Sequence, residues 1–216
     1  AAVGGPADNL LVCIDLSDRT GQDLVVPAAD NLVFKAADAL ARALGREEAQ
    51  RVAVRIEKQL PAQGGLGGGS SNAAAMLVAL AQLWGVSADD DRVVAVARSL
   101  GADVAFFLQG GCAQLGGTGD ALERALVPSR QAMVLVKPAA GVSTAEAYRR
   151  FDEQPTPVQP AVLDAACAAA DAADVPLANN LAPAAEALLP ELAQVRAWLA
   201  DQVGAEKVLL CGSGSA

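Results

Sequence analysis

Between Gly64 and Asn72 the chain packs five glycines, two serines and an asparagine into nine residues, immediately before an alanine-rich helical stretch. Ordering so much glycine is entropically costly. Such a run is either a flexible loop closed by a serine helix cap or a main chain shaped for close approach by another group. The position of the run favours the second reading. A helix that begins here offers unpaired N–H groups and the positive end of its dipole, which together suit a polyanion such as a nucleotide phosphate. Ser70, Ser71 and Asn72 add hydroxyl and amide groups able to bond phosphate oxygens or hold Mg²⁺. Two familiar loops do not fit. No lysine follows Gly69, as a Walker A loop requires, and Gly65-Leu66-Gly67-Gly68-Gly69-Ser70 ends on serine where a dinucleotide fingerprint has glycine.

Composition narrows the chemistry. The chain has no histidine, which removes imidazole acid–base catalysis, histidine-dependent nucleophiles and histidine-ligated zinc. What remains is carboxylates, lysines, hydroxyls, backbone amides or a bound cofactor. With 16 basic and 25 acidic residues the formal net charge is -9, and the longest basic cluster is the pair Arg149-Arg150. That argues against a nucleic-acid partner. Cys13, Cys112, Cys167 and Cys211 are widely spaced and read as buried small apolar residues in a reducing compartment. No apolar run reaches the ~20 residues that span a bilayer. A cytoplasmic protein without a membrane partner is expected, and the oligomeric state is left open.

Hydrophobic residues make up 53% of the 216 and aromatics only 3%, so the core is expected to consist of small aliphatic side chains. Strands are predicted at Leu10–Ile14, Leu24–Val26, Val52–Ile56, Ala132–Val136 and Val208–Cys211, with a strand–turn–strand over Gly110–Gly119. Helices are predicted from about Asn31 to Leu44, from the glycine loop to Trp84, from Ser87 (with Asp90 in a capping box) to Leu100, and around Val162–Ala173 and Leu188–Val203. Gln154–Gln159 reads as a loop. The mixture lacks regular β-α-β alternation, which predicts an α+β fold of two subdomains meeting near residue 130.

Pro61-Ala-Gln-Gly-Gly65-Leu66-Gly67, followed by glycine and serine, resembles the P-x-x-x-G-L-G phosphate loop of the GHMP kinases. Further matches run in order: Asp30-Asn31-Leu32, Lys58-x-Leu60-Pro61, Leu100-Gly101-Ala102-Asp103-Val104, Gly141-Val142-Ser143-Thr144 with Tyr148, Asn180-Leu181, and Gly212-Ser213-Gly214. The extended loop through Ala75, with Leu83-Trp84 at the helix end, resembles the branch that phosphorylates the 2-hydroxyl of 4-diphosphocytidyl-2-C-methyl-D-erythritol in non-mevalonate isoprenoid synthesis. The resemblance implies a GHMP fold: a ribosomal protein S5 domain 2-like part over residues 1–130 and a ferredoxin-like part over 131–216. It implies ATP and Mg²⁺ as cofactors and a small-molecule substrate. The phosphates would lie on Gly64, Gly65, Leu66, Gly67, Gly68, Gly69, Ser70, Ser71 and Asn72, with Asn31 and Lys58 around the nucleotide.

Asp103, read from its neighbours alone, is either a helix cap or a functional carboxylate. The resemblance implies the latter, as the group that accepts the proton from the attacking hydroxyl or orients it. Lys58 and Asn31 otherwise read as an exposed lysine and an N-cap. Ser143, Thr144 and Tyr148 match a substrate-side segment but equally suit the start of a helix. Gly212, Ser213 and Gly214 match a glycine turn set against the active site, though any turn has this composition. The metal-ligating residue is left open. Ala105 stands where the family usually has proline, which alters local stiffness and not chemistry.

The family's opening Lys-x-Asn-Leu strand and Asp-Gly-Tyr-His segment are not found, nor is its region beyond the third glycine motif. The expectation is therefore a fold incomplete at both termini, poorly stable and nearly inactive as written, from an active full-length parent. Alternatives are another GHMP kinase directed at mevalonate, homoserine or a sugar, and an anion- or nucleotide-binding module without catalysis. A purely structural protein would leave the glycine loop without a purpose.

Overall fold

Side chains alternate between the two faces of β2 (Leu10–Asp18), so Leu10, Val12 and Ile14 are buried while Leu11 and Asp15 face out. One face of a strand thus supplies the first layer of a core. The computed structural model describes residues 2–4, 10–21 and 26–216. The strand predicted at Leu24–Val26 falls largely outside them. β1 (Ala2–Gly4) lies antiparallel to β2, with Val3 opposite Val12. β3 (Gln50–Lys58) lies parallel to β2 in unbroken register from Leu10 opposite Gln50 to Asp18 opposite Lys58. Parallel neighbours need a crossover, and α1 (Leu32–Ala43) provides it.

Helix α1 starts where the Asn31 side chain accepts the Val33 N–H at 2.9 Å. It then buries Val33, Phe34, Ala36, Ala37, Leu40 and Ala41. α2 (Gly68–Leu83) packs on it and buries Ala73, Ala74, Met76, Leu77, Leu80 and Ala81. Alanine among the buried residues of both helices permits close approach of the helix axes. Leu40 and Leu77 are fully buried, each contributing about 1.5–3 kcal/mol. α3 (Asp91–Leu100) and α4 (Ala102–Gln109) complete this core with Val93, Val96, Ala97 and Val104. A hairpin of β4 (Cys112–Gly116) and β5 (Ala121–Leu126) follows.

Contacts divide the chain into two units. One comprises Ala1–Pro61 and Gly67–Arg124, the other Ala62–Leu66 and Ala125–Ala216. The second unit contains α5 (Thr144–Glu153), α6 (Pro160–Ala168), α7 (Ala182–Leu188) and α8 (Glu191–Val203). Its buried cluster is Val142, Ala147, Ala185 and Leu192, with Leu189 and Leu210 against it.

Several local expectations need correction. α3 is capped by Asp90, whose carboxylate accepts the Arg92 N–H at 2.9 Å; Ser87 instead accepts from Asp89. The segment after Gly101, where no element is predicted, is α4. Ala132–Val136 and Val208–Cys211 are not strands among the described residues, since no neighbouring strand supplies ladder hydrogen bonds, and Met133 is 91% exposed. The cysteines are less buried than expected, with Cys167 exposed and the other three half-buried. No helix among the described residues is long and apolar enough to cross a membrane.

Candidate functional site

The glycine run divides between the units, with residues up to Leu66 in the second and Gly67 onward in the first. In the first unit, α2 is entered through Gly67, which is left-handed at φ 65°. A glycine cap has no side chain to offer the helix. The first α-helical bond here is Ser71 N–H to Gly67 C=O at 2.8 Å, so the N–H groups of Gly68, Gly69 and Ser70 precede any carbonyl of their own helix. Ser71 Oγ donates to Gly68 C=O at 3.1 Å, tightening the turn. A 16-residue helix thus presents a bare, dipole-positive end.

Two further elements frame that end. Lys58, the last residue of β3, brings its ammonium to 3.7 Å from where a Gly68 Cβ would stand. The Leu32 side chain comes within 3.6 Å of the same point on Gly69, so the first turn of α1, with Asn31 as its cap, adjoins the first turn of α2. Asn31 therefore caps α1 beside the loop. Ser70 and Asn72 are half-buried in the first turns of α2.

Asp103 is exposed in the first turn of α4. Four residues on, Phe107 occupies the same helix face. Its ring lies 2.8 Å from where a Gly67 Cβ would stand. α4 therefore carries Asp103 on the face that meets the head of α2. Phe107 escapes sequence reading because the apolar run Val104–Leu108 shows no helical period that would single it out.

In the second unit, the front of the loop is fastened from far along the chain. Ser215 N–H donates to Gln63 C=O at 3.0 Å and Ala216 N–H to Gly64 C=O at 3.3 Å. Ser215 Oγ donates to Ala140 C=O at 2.9 Å. The Cys211 carbonyl oxygen lies where a Gly65 side chain would be, so Gly65 cannot carry one. Burial pushes the Cys211 thiol pKa up, which keeps it protonated and unsuited to nucleophilic work.

The turn at Gly212-Ser213-Gly214 follows directly, and Ser213 Oγ shares a 2.8 Å hydrogen bond with Thr144 Oγ1. Ser143 is occupied as the α5 N-cap, accepting the Glu146 N–H at 3.4 Å. Tyr148 is 53% exposed one turn after Thr144, on the same helix face. Among the predicted second-unit residues, Thr144 and Ser213 are thus in direct contact and Tyr148 is aligned with Thr144. Sequence reading also missed Asn179, whose side chain bonds Leu210 C=O and Gly212 C=O, each at 2.7 Å. Nothing local in Ala178-Asn179-Asn180-Leu181 reveals a bond reaching 33 residues onward.

No group of three or more His, Cys, Asp or Glu able to hold a metal occurs among the described residues. Mg²⁺ that arrives with nucleotide phosphates needs only one or two protein oxygens. The Ser70 and Ser71 hydroxyls and the Asp103 carboxylate have that chemistry.

Residues 31–111 match the family model of the GHMP kinases N-terminal domain. The chain is 40% identical over 198 residues to the 4-diphosphocytidyl-2-C-methyl-D-erythritol kinase of Pelotomaculum thermopropionicum, covering 90% of this chain and 68% of that protein. It is 41% identical to the enzyme of the same name from Desulfitobacterium hafniense, covering 87% of this chain and 65% of that protein. The chain thus spans about two thirds of the length of these curated relatives. A crystal structure of 4-(cytidine 5'-diphospho)-2C-methyl-D-erythritol kinase superposes with a TM-score of 0.65 at 31% identity, covering all of this chain and 72% of that one.

Proposed function

The chain belongs to the GHMP kinases, and from that premise we propose that it transfers the γ-phosphoryl group of ATP to the 2-hydroxyl of 4-diphosphocytidyl-2-C-methyl-D-erythritol, in isoprenoid-precursor synthesis. The observation that carries this reading is the head of α2. A bare helix N-terminus has Lys58 beside it, and the helix bearing Asp103 packs on it through Phe107. Phosphoryl transfer asks for this combination: main-chain N–H groups and a cation around spreading phosphate charge, with a carboxylate at the entering hydroxyl.

In the proposed mechanism the ATP phosphates lie along Gly64, Gly65, Leu66, Gly67, Gly68, Gly69 and the Ser70-Ser71-Asn72 turn. The Gly68, Gly69 and Ser70 N–H groups and the Lys58 ammonium bond phosphate oxygens, with Asn31 flanking the nucleotide. Asp103 accepts the proton of the attacking hydroxyl, or orients it, as the new oxygen–phosphorus bond forms. The bond from γ-phosphorus to the β,γ-bridging oxygen breaks and ADP leaves. Ser70, Ser71 and Asp103 are the residues suited to Mg²⁺, which when bound neutralises charge on the phosphate oxygens.

Thr144, Tyr148 and the Gly212-Ser213-Gly214 turn are the proposed acceptor-binding groups. Ser143 serves them by capping α5. The protein is proposed to act in the cytoplasm. Asp103→Asn tests the reading. The substitution is expected to leave ATP binding within about twofold and to lower turnover by about 10²–10⁴. Unchanged turnover would overturn the role of Asp103, and ATP binding without turnover in either protein would favour a nucleotide-binding module without catalysis.

A further inference from the structure

The Asn179 carboxamide is fully engaged on main-chain partners. Its Nδ2 donates both protons, to Leu210 C=O and Gly212 C=O at 2.7 Å each, and its Oδ1 accepts the Leu181 N–H at 2.9 Å. This arrangement fixes the orientation of the amide, because the flipped form would set oxygen against two carbonyls and NH₂ against an N–H. The two carbonyls it grips bracket Cys211, whose own carbonyl oxygen fills the space above Gly65. Beyond the turn, the chain runs into Ser215 and Ala216, which donate to Gln63 and Gly64. All of these residues belong to the second unit.

From this chain of contacts we propose that Asn179 is a positioning residue for the phosphate loop. It clamps the 210–212 turn, the turn fixes Gly65 and the Gln63–Gly64 carbonyls, and the front of the loop is thereby preset before nucleotide arrives. The proposal rests on the kinase reading for the identity of its ligand. Its physical warrant is that glycine peptides have no intrinsic shape. A loop that must offer N–H groups in a defined array gains affinity from any contact that orders it beforehand. Asn179 supplies that order without touching the ligand.

Asn179→Asp separates the clamp from the other bond. Aspartate still accepts the Leu181 N–H, but it has no donor for Leu210 and Gly212, and its charge faces both carbonyl oxygens. Asn179→Ala removes the same donors without adding charge. Two quantities are read in each variant: amide hydrogen exchange at Ser215 and Ala216 without ligand, and the ATP Kd by calorimetry. Both variants are expected to exchange at least about tenfold faster at these amides and to bind ATP about tenfold more weakly, with the far-ultraviolet circular dichroism of the parent.

Faster exchange with an unchanged Kd overturns the positioning role. Unchanged exchange overturns the clamp. Loss of folded structure in both variants overturns the proposal as well, by making Asn179 a purely structural residue. If the parent chain itself fails to bind ATP, the kinase reading falls and takes the positioning role with it, while exchange still reports on the clamp.

Discussion

The two halves of the glycine loop are held by different physics. From Gly67 onward the loop heads a helix whose Leu77 and Leu80 sit in a core shared by β2, α1, α2, α3 and α4. From Gln63 to Gly65 it is held by main-chain hydrogen bonds from Ser215 and Ala216 and by a turn that Asn179 grips. The local cores differ accordingly, since the second unit buries Val142, Ala147, Ala185 and Leu192 but leaves Met133, Val134 and Trp198 well exposed. A half anchored by apolar burial resists perturbation of single polar groups. A half anchored by a few hydrogen bonds depends on each of them.

Substitutions can break this contrast at either end. The largest effect is expected at Leu77, which is fully buried. Leu77→Ala should cost about 2–5 kcal/mol in urea unfolding, since the helix under the loop loses its main anchor and a cavity remains. Asp103→Asn should lower turnover by about 10²–10⁴ while the urea midpoint stays put, separating chemistry from anchoring. Gly67→Ala comes next. A left-handed φ of 65° and the Phe107 ring both oppose a side chain. A loss of about 1–3 kcal/mol is expected, together with a raised KM for ATP. Asn31→Ala removes the α1 cap and should cost about 1 kcal/mol, read as a lower melting midpoint.

The smallest effect is expected at Asp90, which is far from the loop's hydrogen-bonded half in sequence and serves only α3. The Arg92 guanidinium, followed by the Arg92 N–H, holds its carboxyl at about 2, below the ordinary 3.8. A depressed carboxyl favours the fold above its unfolded pKa, so this contribution is intact above about pH 4 and is lost as pH falls through about 2. Asp90→Asn keeps a capping oxygen and loses the charge. It should flatten that part of the acid transition by lowering the melting midpoint slightly at pH 7 and converging with the parent near pH 2, as a pH series of melting midpoints would record.

The same contrast explains what was legible in the sequence. α1 announces itself by an Asn31 cap and buried residues at helical spacing, because burial against one face leaves a period, and β2 by the compact apolar run from Leu10 to Ile14. The loop's back half was readable for the same reason, as glycine meeting a helix. Ala132–Val136 and Val208–Cys211 misled because a short apolar run suits a buried strand but does not specify a partner. α4 was hidden by its continuous apolarity. Asn179 and Gln63 were not legible at all, since each acts by bonding main-chain groups remote in sequence, and main-chain groups carry no residue-specific signal.

The central claim is that the head of α2 and Asp103 together perform phosphoryl transfer. It is tested most directly by following ADP release from ATP with 4-diphosphocytidyl-2-C-methyl-D-erythritol as acceptor, comparing the full-length parent with its Asp103→Asn variant at matched ATP occupancy. The account predicts acceptor-dependent ADP release in the parent and a fall of about 10²–10⁴ in the variant. ATP bound equally by both, with no acceptor-dependent release from the parent, would contradict it.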